Sequence, residues 1–305
     1  MGNAYDSHIC GDRLVTNPLY LIDDNISGME SKPQVKTFFK YPGGKSKFSE
    51  TLMNYLPECD TFTDVFVGGG SVTLRYASKF RDSNIIINDA DVFTFSIWKI
   101  LVDGDDSDIR RFGDMVHRHP TVELFKENRS KLQSSNDIVE RAYLGLFFHK
   151  TTFSGMFNGN PIGGFGQKSK WTIDCHYNSE NILSKFMAAR ELLKDRTTIL
   201  NLDFRKLHPK GLSYFDPPYV GVGDKLYDVT FSNTDHNELC KYLRELKTRW
   251  VLSYNDDPLV RELYGSSEFD IKEYSVKSTM TSFNKTGDGR CLKKSELIIS
   301  RKYQD

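Results

Sequence analysis

The stretch Tyr214-Phe215-Asp216-Pro217-Pro218-Tyr219 constrains the fold of this chain more than any other. Tyr214 and Phe215 end a short apolar run, and two prolines follow. Because proline has no backbone N–H to donate, a strand that reaches these residues must end there and leave the sheet. This predicts that a carboxylate, a free carbonyl and an aromatic ring lie together at the carboxyl end of a strand, where open α/β sheets bind their ligands. The alternative is an ordinary loop stopped by proline and capped by Asp216.

The composition of the chain is that of a globular protein with a full core. It has 305 residues, of which 38% are hydrophobic and 27% are charged, and this length fits one large domain or a core with an inserted subdomain. We expect neither a membrane-spanning segment nor a signal peptide, because no apolar run is long enough and the N-terminus lacks a basic-then-apolar pattern. The five cysteines are widely spaced, which favours reduced thiols and argues against a disulfide framework or a zinc site.

The charge of the chain is balanced overall but uneven along its length. The 41 basic and 41 acidic residues cancel, so that any nucleic-acid contact must depend on local charge. Residues 1–35 hold two basic and five acidic residues, and we expect a flexible extension there without chemistry of its own. Residues 272–302 hold eight basic and three acidic residues, and residues 149–171 hold three lysines and no acid. These last two segments are the predicted basic surfaces.

Two glycine turns precede helical patterns in the first third of the chain. Tyr41-Pro-Gly-Gly-Lys45 precedes a helix-like segment at 48–56, and its amides with Lys45 would suit an anionic group. Gly68-Gly-Gly70 separates a predicted strand at 61–67 from a predicted helix at 71–80. The order of strand, glycine turn and helix lets a backbone approach a nucleotide-like ligand closely. The spacing is not that of a dinucleotide site, so a dinucleotide is not the favoured ligand.

Asp89 follows the next predicted strand, at 84–88, and lies 21 residues beyond Gly68. An acid at about this distance from a glycine turn is placed to accept hydrogen bonds from ribose hydroxyls. The alternative is that Asp89 caps the helix predicted at 93–102.

A glycine-rich loop occupies residues 149–167 and follows helices predicted at 109–119, 122–132 and 138–148, beyond a solvated acidic junction at 103–108. Loops of this length in a compact chain are usually functional or disordered, and the phenylalanines argue against disorder. Its amides and lysines, with Gln167, provide groups for phosphates and base edges. The alternative is that its aromatic residues only fold the loop onto the core.

The remaining chain alternates strands and helices, which predicts a doubly wound α/β sheet with a late antiparallel hairpin. The predicted helices and strands are at 179–194, 197–202, 212–215, 235–246, 250–254, 258–264, 269–274 and 296–300, with a mobile polar loop at 221–231.

Taken in order, these motifs resemble those of the alpha-class DNA adenine-N6 methyltransferases. The matching stretches, within residues 36–302, are Lys40-Tyr-Pro-Gly-Gly-Lys45, Asp64-Val-Phe-Val-Gly-Gly-Gly70, Asp89, Phe153-Ser-Gly-Met156, Asn160-Pro-Ile-Gly-Gly164, Asp216-Pro-Pro-Tyr219 and Leu252-Ser-Tyr-Asn-Asp256. Many relatives carry a small residue at the position of Gly69, and glycine, which has no side chain, is equally free of bulk. The first 35 residues lie outside the resemblance.

The resemblance implies a Rossmann-like S-adenosylmethionine-dependent methyltransferase sheet with an inserted, mainly helical target-recognition domain. The domains would be an extension at 1–35, a cofactor-binding half at 36–103, target recognition at 104–196 and a catalytic half at 197–305. S-adenosyl-L-methionine would contact Tyr41, Gly43, Lys45, Phe66, Gly68, Gly70, Asp89, Phe204 and Asp216. Asp216, Pro217, Pro218 and Tyr219 would be catalytic, with no metal.

The expected partner is double-stranded DNA in the cytoplasm of a bacterium, or of a host cell if the chain is phage-encoded. The residues expected to contact DNA are Lys150, Ser154, Asn158, Asn160, Lys168, Lys170, Lys293 and Lys294. We expect a monomer in solution, with a dimer on DNA as the alternative. Two other functions stay open at this point: methylation of RNA or of cytosine N4, and nucleic-acid binding without catalysis.

Overall fold

The structure is a computed structural model that describes residues 34–39, 41, 43–221, 231–277 and 293–302. The predicted N-terminal extension, the polar loop at 221–231 and the middle of the C-terminal basic segment therefore fall largely outside the described residues.

The described residues form one sheet in the order β3-β2-β1-β4-β5-β7-β6. Its strands are β1 Thr61–Asp64, β2 Asn84–Asn88, β3 Thr197–Leu200, β4 Leu212–Phe215, β5 Trp250–Asn255, β6 Phe269–Lys277 and β7 Lys293–Arg301. β1 to β5 pair in parallel, whereas β7 pairs antiparallel with both β5 and β6. The predicted α/β sheet with a late antiparallel hairpin is confirmed.

The α-helices of the described chain lie before and between these strands in the sequence. They are α1 Ser49–Leu52, α2 Ser71–Lys79, α3 Val92–Asp103, α4 Asp106–Val116, α5 Val122–Lys131, α6 Ile138–Thr151, α7 Ser179–Leu193, α8 Asn233–Glu245 and α9 Pro258–Tyr264. The prediction of a solvated junction at 103–108 is wrong for its second half. Asp105 caps α4 by accepting from the amides of Ser107 and Asp108, so the acidic run begins a helix. Acidic residues are stabilising in a first turn because they face the positive end of the helix dipole.

Both faces of the sheet are buried, as the alternation of side chains along its strands requires. Tyr214 packs into one hydrophobic cluster and Phe215 into the other. In β7, Ile298 packs on the first face and Leu297 and Ile299 on the second. The larger cluster contains the buried sides of α2, α3, α6 and α7, and the smaller one contains those of α8 and α9.

A buried arginine joins two of these helices. Arg190 of α7 donates to the carbonyls of Leu101, at 2.6 Å, and Gly104, at 2.7 Å, at the end of α3. The last carbonyls of a helix have no partner inside the helix. Arg190 supplies donors to these carbonyls and thereby fixes α7 against the carboxyl end of α3.

We expect Arg190→Met to lower the free energy of unfolding by about 3–5 kcal/mol, because methionine fills the space but leaves buried carbonyls without donors. Arg110→Met, at an exposed position of α4, should change it by about 0.5 kcal/mol or less. Denaturant unfolding followed by circular dichroism measures both. Equal stability of the two variants would contradict the role given to Arg190.

Candidate functional site

Two glycine-containing turns and the Asp216-Pro-Pro-Tyr219 segment meet at one edge of the sheet. β1 lies between β2 and β4, so the chain leaves the sheet in opposite directions on either side of the β1–β4 pair. This is the topological switch point, where a crevice opens beyond the carboxyl ends of the strands. A cavity of about 230 Å³ occupies it. Its lining includes all the predicted cofactor and catalytic residues: Tyr41, Gly43, Lys45, Phe66, Gly68, Gly70, Asp89, Phe204, Asp216, Pro217, Pro218 and Tyr219.

The turn after β1 needs glycine for both conformation and space. Gly68 and Gly70 have φ of +44° and +63°, a region that favours glycine. A Cβ at Gly68 would lie 2.8 Å from the Tyr41 ring, and one at Gly70 would lie 2.3 Å from the Trp98 ring. Trp98 also donates its indole N–H to the Gly68 carbonyl at 2.9 Å. Two aromatic rings therefore hold this backbone turn at the wall of the cavity.

Asp89 braces the same turn and does not cap the next helix. Its carboxylate accepts from the amides of Gly68, at 2.9 Å, and Asp91, at 3.0 Å. The cap of α3 is Asp91, which accepts from the amides of Phe93 and Thr94, so the capping alternative for Asp89 is wrong. Burial, with a contribution from the charge of Asp91, raises the pKa of Asp89 to about 7. The role of Asp89 toward ribose stays a prediction.

Asp216 is the centre of a buried hydrogen-bond network. Lys45 Nζ lies 2.6 Å from its Oδ1 and 2.8 Å from its Oδ2. Ser253, on the neighbouring β5, donates to Oδ1 at 3.0 Å, and the Tyr214 hydroxyl lies 2.7 Å from the same serine oxygen. Burial raises the pKa of Asp216, although the ammonium of Lys45 opposes the rise. Lys45 thus contacts a carboxylate of the chain itself in this structure, where the sequence predicted an anion of a ligand.

Glu296 completes this network and was missed in the sequence. Its Oε1 lies 3.3 Å from Lys45 Nζ and accepts from the Tyr219 hydroxyl. Lys45 Nζ is also 4.6 Å from the centre of the Tyr219 ring. Burial opposes the charged form of Lys45, but Asp216 and Glu296 outweigh it, so the pKa of Lys45 is raised. The available signal was an acid within an apolar strand, since a buried carboxylate in such a place requires a partner.

Two further polar groups of the cavity wall were also missed. Asp64 accepts from the Thr73 hydroxyl at 2.5 Å through Oδ2, while its buried Oδ1 has no partner among the described residues. Burial raises the pKa of Asp64 to about 7. Burial lowers the pKa of His149 to about 3, and its Nδ1 donates to the Gly155 carbonyl at 3.1 Å. His149 Nε2 is buried without a partner in the described chain.

An aromatic wall closes the cavity on the side of β3. Phe66, Phe204 and Phe231 lie with ring centres 5.8 to 6.1 Å apart. Phe204 is buried, and the guanidinium of Arg205 lies 4.6 Å from its ring centre. Phe204 is therefore a core residue that also lines the cavity, and its contact with a cofactor stays a prediction.

The glycine-rich loop folds onto itself and leaves a polar surface. A bridge between Thr152 and Pro161 closes its first part. Gln167, which the sequence suggested for base contacts, donates instead to the loop carbonyl of Ile162 and accepts from the amide of Ile173. Asn158, Asn160, Lys168 and Lys170 are exposed and Lys150 is partly buried. Exposed aromatic side chains that were not predicted to contact DNA lie in the same region: Phe153, Phe165 and Trp171.

The other predicted DNA contacts are not settled by the structure. Lys293 and Lys294 begin β7, and Ser154 lies in a short 3-10 helix, but their side chains fall outside the described part of the chain. No group of three or more potential metal ligands occurs within the described residues. None of the helices described is long and apolar enough to cross a membrane.

We expect Gly70→Ala to destabilise the protein by about 2–4 kcal/mol, because alanine is strained at positive φ and its Cβ overlaps Trp98. Gly113→Ala is the matched control, since its Cβ meets nothing within 4 Å in α4 and alanine favours helix by up to about 1 kcal/mol. Thermal and denaturant unfolding distinguish them. A fully stable Gly70→Ala variant would show that the turn does not need glycine.

Comparison with known proteins identifies the family of this chain. The D12 class N6 adenine-specific DNA methyltransferase model matches residues 41–280. The Type II methyltransferase M.MjaIII of Methanocaldococcus jannaschii is 25% identical over 297 residues, which cover 87% of this chain and 99% of that protein. The DNA adenine methylase of Escherichia coli is 26% identical over 252 residues, or 77% of this chain and 86% of that one.

A third relative is the DNA N-6-adenine-methyltransferase of Escherichia phage P1. It is 24% identical over 268 residues, which are 81% of this chain and 33% of the phage protein. The family match extends over most of the chain and includes the glycine turn, the inserted helices and the Asp216-Pro-Pro-Tyr219 segment. The resemblance inferred from the ordered motifs is confirmed: this chain belongs to the D12 class N6 adenine-specific DNA methyltransferase family.

Proposed function

We propose that this protein transfers the methyl group of S-adenosyl-L-methionine to the N6 amino group of an adenine that has been flipped out of duplex DNA. The observation that carries the proposal is the position of Asp216. Its carboxylate lies at the switch point of the sheet, in the same cavity as the glycine turn and Asp89. A nucleotide-like cofactor and an amine could therefore meet at one place.

The residues of the cavity fit the proposed cofactor. Gly68 and Gly70 leave spaces that a Cβ would fill, and the aromatic wall suits a purine ring. Asp89 already accepts two amide hydrogen bonds, and its carboxylate has further lone pairs for ribose hydroxyls. Asp64 Oδ1, which has no partner among the described residues, would provide an acceptor for a cationic amino group. S-adenosylmethionine would supply an electrophilic methyl group on positively charged sulfur, and the chain would orient the amine toward it.

Adenine N6 is a poor nucleophile because its lone pair is delocalised into the ring. Hydrogen bonds from the amino group to Asp216 and to the Pro217 carbonyl would favour a localised lone pair. A carboxylate offers about four acceptor positions, of which Lys45 and Ser253 occupy three on Asp216. N6–H would bind at Oδ2, which accepts from Lys45 but not from Ser253. Pro217 and Pro218 lack N–H groups that would compete for these acceptors.

Tyr219 would hold the base. Its hydroxyl donates to Glu296, which fixes the direction of the ring, and base–aromatic stacking contributes about 1–3 kcal/mol. The target atom is otherwise inside the stacked duplex, so the base must leave the helix to reach the cavity. Positioning and alignment of the two reactants can lower the barrier by about 7–11 kcal/mol. No covalent nucleophile of the enzyme is required.

The insertion would hold the DNA. Target recognition is proposed for residues 104–196, with phosphate or base contacts from Lys150, Ser154, Asn158, Asn160, Lys168 and Lys170, and from Lys293 and Lys294 at the start of β7. We propose that the protein acts as a monomer, with no metal in the reaction. Neutral net charge means that general attraction to DNA is weak and depends on these local positive groups.

We expect Asp216→Asn to lower the rate of methyl transfer by about 100-fold or more, because its amide presents a donor toward the amine and loses the negative charge. Asp270→Asn, on β6, provides a control of the same chemistry at an exposed position. The measurement is transfer of labelled methyl groups from S-adenosylmethionine to duplex DNA, with the modified base identified by sequencing. Activity within tenfold of the parent in folded Asp216→Asn would remove this role. If the parent enzyme methylates cytosine or RNA, that base or RNA is the substrate in place of adenine in DNA. If the parent enzyme transfers no methyl group, the protein binds nucleic acid without catalysis.

We expect Lys168→Ala combined with Lys170→Ala to reduce the slope of log affinity against log salt by about 0.9 for each phosphate that the lysines no longer neutralise. Binding to cognate and scrambled duplexes should weaken alike. Asn158→Ala or Asn160→Ala should instead reduce sequence discrimination by about 1–3 kcal/mol if that side chain contacts a base edge. Salt titrations of binding measure both effects.

The matched control is Lys210→Ala with Lys247→Ala. Both lysines are exposed and lie just before the amino ends of β4 and β5, at the opposite edge of the sheet. Their removal should leave the slope unchanged if binding is local to the insertion. Equal slopes for the two double variants would move the DNA surface away from this loop and toward the C-terminal basic segment.

A further inference from the structure

Glu296 is brought to the catalytic edge of the sheet by the reversed strand β7. This strand runs antiparallel to β5, and Glu296, near its start, pairs with Asn255 at the end of β5. The start of β7 therefore lies where the parallel strands end. Glu296 is 8% exposed, which is unusual for a glutamate, and such burial is tolerated only when the charge is paired.

The contacts of Glu296 are made to two residues of the proposed reaction. One is Lys45 Nζ, at 3.3 Å, and the other is the Tyr219 hydroxyl. The same Lys45 ammonium lies closer to Asp216, at 2.6 and 2.8 Å. The buried carboxylate of Glu296 and the partly buried carboxylate of Asp216 thus share one ammonium, and the three groups together carry a formal charge of −1.

This arrangement poses a problem for Asp216. A buried carboxylate whose two oxygens both bind an ammonium is a weak acceptor for a neutral amine, because the ammonium holds it more strongly. Lys45 must remain charged and buried when the amine arrives, and an unpaired buried charge is costly. A second carboxylate beside Lys45 removes this cost, since the ammonium can shift toward it.

We propose that Glu296 is a positioning residue that holds the Lys45 ammonium, so that Asp216 keeps an oxygen available for the amino group of the substrate. The inference rests on the proposed function of Asp216. Glu296 touches neither reactant in this account and acts through Lys45. Its negative charge also leaves the cluster with a net charge of −1, which favours the positive charge that develops at the amine as it is methylated.

The hydrogen bond from Tyr219 to Glu296 is a second route by which Glu296 could act. A variant of Tyr219 separates this route from the one through Lys45. Tyr219→Phe removes the hydroxyl and keeps the ring. If Glu296 acts through Lys45 and not through this hydroxyl, removing the hydroxyl should leave the effect of Glu296 intact, whatever loss of rate Tyr219→Phe causes by itself. The effect of Glu296→Gln should then be as large in the Tyr219→Phe background as in the parent.

The central variant is Glu296→Gln, which keeps the size of the side chain and removes its charge. We expect the single-turnover rate of methyl transfer at neutral pH to fall at least 30-fold, with S-adenosylmethionine affinity changed by less than about threefold by calorimetry. Lys45→Met should itself lower the single-turnover rate. Adding Glu296→Gln to that variant should lower the rate by less than about threefold more. Glu273→Gln, at an exposed glutamate of the neighbouring strand β6, should retain parental activity.

The pH dependence gives a readout that a merely structural role would not move. With Glu296 neutral, Lys45 pairs only with Asp216 and stabilises its ionised form, so the acid limb of the rate profile should shift to lower pH. Among the described residues, the charged or titratable groups that face Asp216 are Lys45, Glu296, Asp64, Tyr214, Tyr219 and Tyr254. A general loosening of the site would lower the rate at every pH without moving this limb.

A measurement on Lys45 itself does not depend on activity. The pKa of Lys45 followed by NMR of labelled lysine side chains, assigned with Lys45→Met, should fall in Glu296→Gln because one of the two carboxylates is removed. If Glu296→Gln does not fold, Glu296→Asp is measured instead, and its shorter side chain should lower the same pKa less.

Three results would overturn the proposal. These are a parental rate in Glu296→Gln, a loss of the same size in the Lys45→Met background, and an unchanged pKa of Lys45. Failure of the proposed function is a separate outcome, in which the parent enzyme methylates no adenine while the pKa of Lys45 still responds to Glu296.

Discussion

The parallel pairing of β1 with β4 is the interaction on which the site depends. Thr63 pairs with Ser213 and Asp64 with Tyr214, although about 150 residues of chain separate the two strands. This pairing is where the strand order reverses, and it places the glycine turn after β1 beside the Asp216 segment after β4. The outer neighbours of the pair, β2 and β5, add Asp89 and Ser253 to the same edge. A slip of one residue in this register would turn Asp64 and Tyr214 to the opposite faces of the sheet.

The free-energy cost of burying charged groups is concentrated at the edge of the sheet that holds the cavity. Asp64, Asp89, Asp216 and Glu296 are carboxylates that line or adjoin one cavity, and burial raises the pKa of each. Perturbed carboxylates of this kind cluster at functional sites, because folding energy is spent to keep them ready for a ligand. Lys45 offsets part of the charge. The remaining negative character suits a cofactor that carries both a sulfonium and an amino group, in agreement with the function proposed above.

The insertion between β2 and β3 contributes to the cavity as well as to the outer surface. His149, Gly155 and Phe157 line the cavity, whereas Lys168, Lys170 and Trp171 are exposed to solvent. His149 connects the two parts, since it lies in the last turn of α6, donates to Gly155 in the loop and packs 5.1 Å from Tyr41 between ring centres. These contacts connect the glycine-rich loop to the wall of the cavity.

Local patterns in the sequence were sufficient to predict the order of strands and helices. They also predicted the glycine turn and the Asp216 segment of the site. The two prolines end β4 at Phe215, the three glycines separate β1 from α2, and the alternation of strands and helices predicts the α/β sheet, because each of these depends on nearby residues alone. The ordered motifs also identified the family. Helix ends were less well predicted: the acidic run at 103–108 was taken as a junction, while Asp105 in fact caps α4.

Tertiary structure decided which partners the polar side chains have. Lys45 could be assigned to an anion from its sequence context, but only the fold brings it to Asp216, 171 residues away, and to Glu296. The sequence left Asp89 as either a ribose contact or a helix cap, and only the fold excluded the cap, by placing the Gly68 amide beside Asp89. Glu296 and the buried nitrogen of His149 have no local motif. Their role depends on the reversal of β7 and on the return of α6 to the sheet, which are long-range contacts that residue type and spacing do not encode.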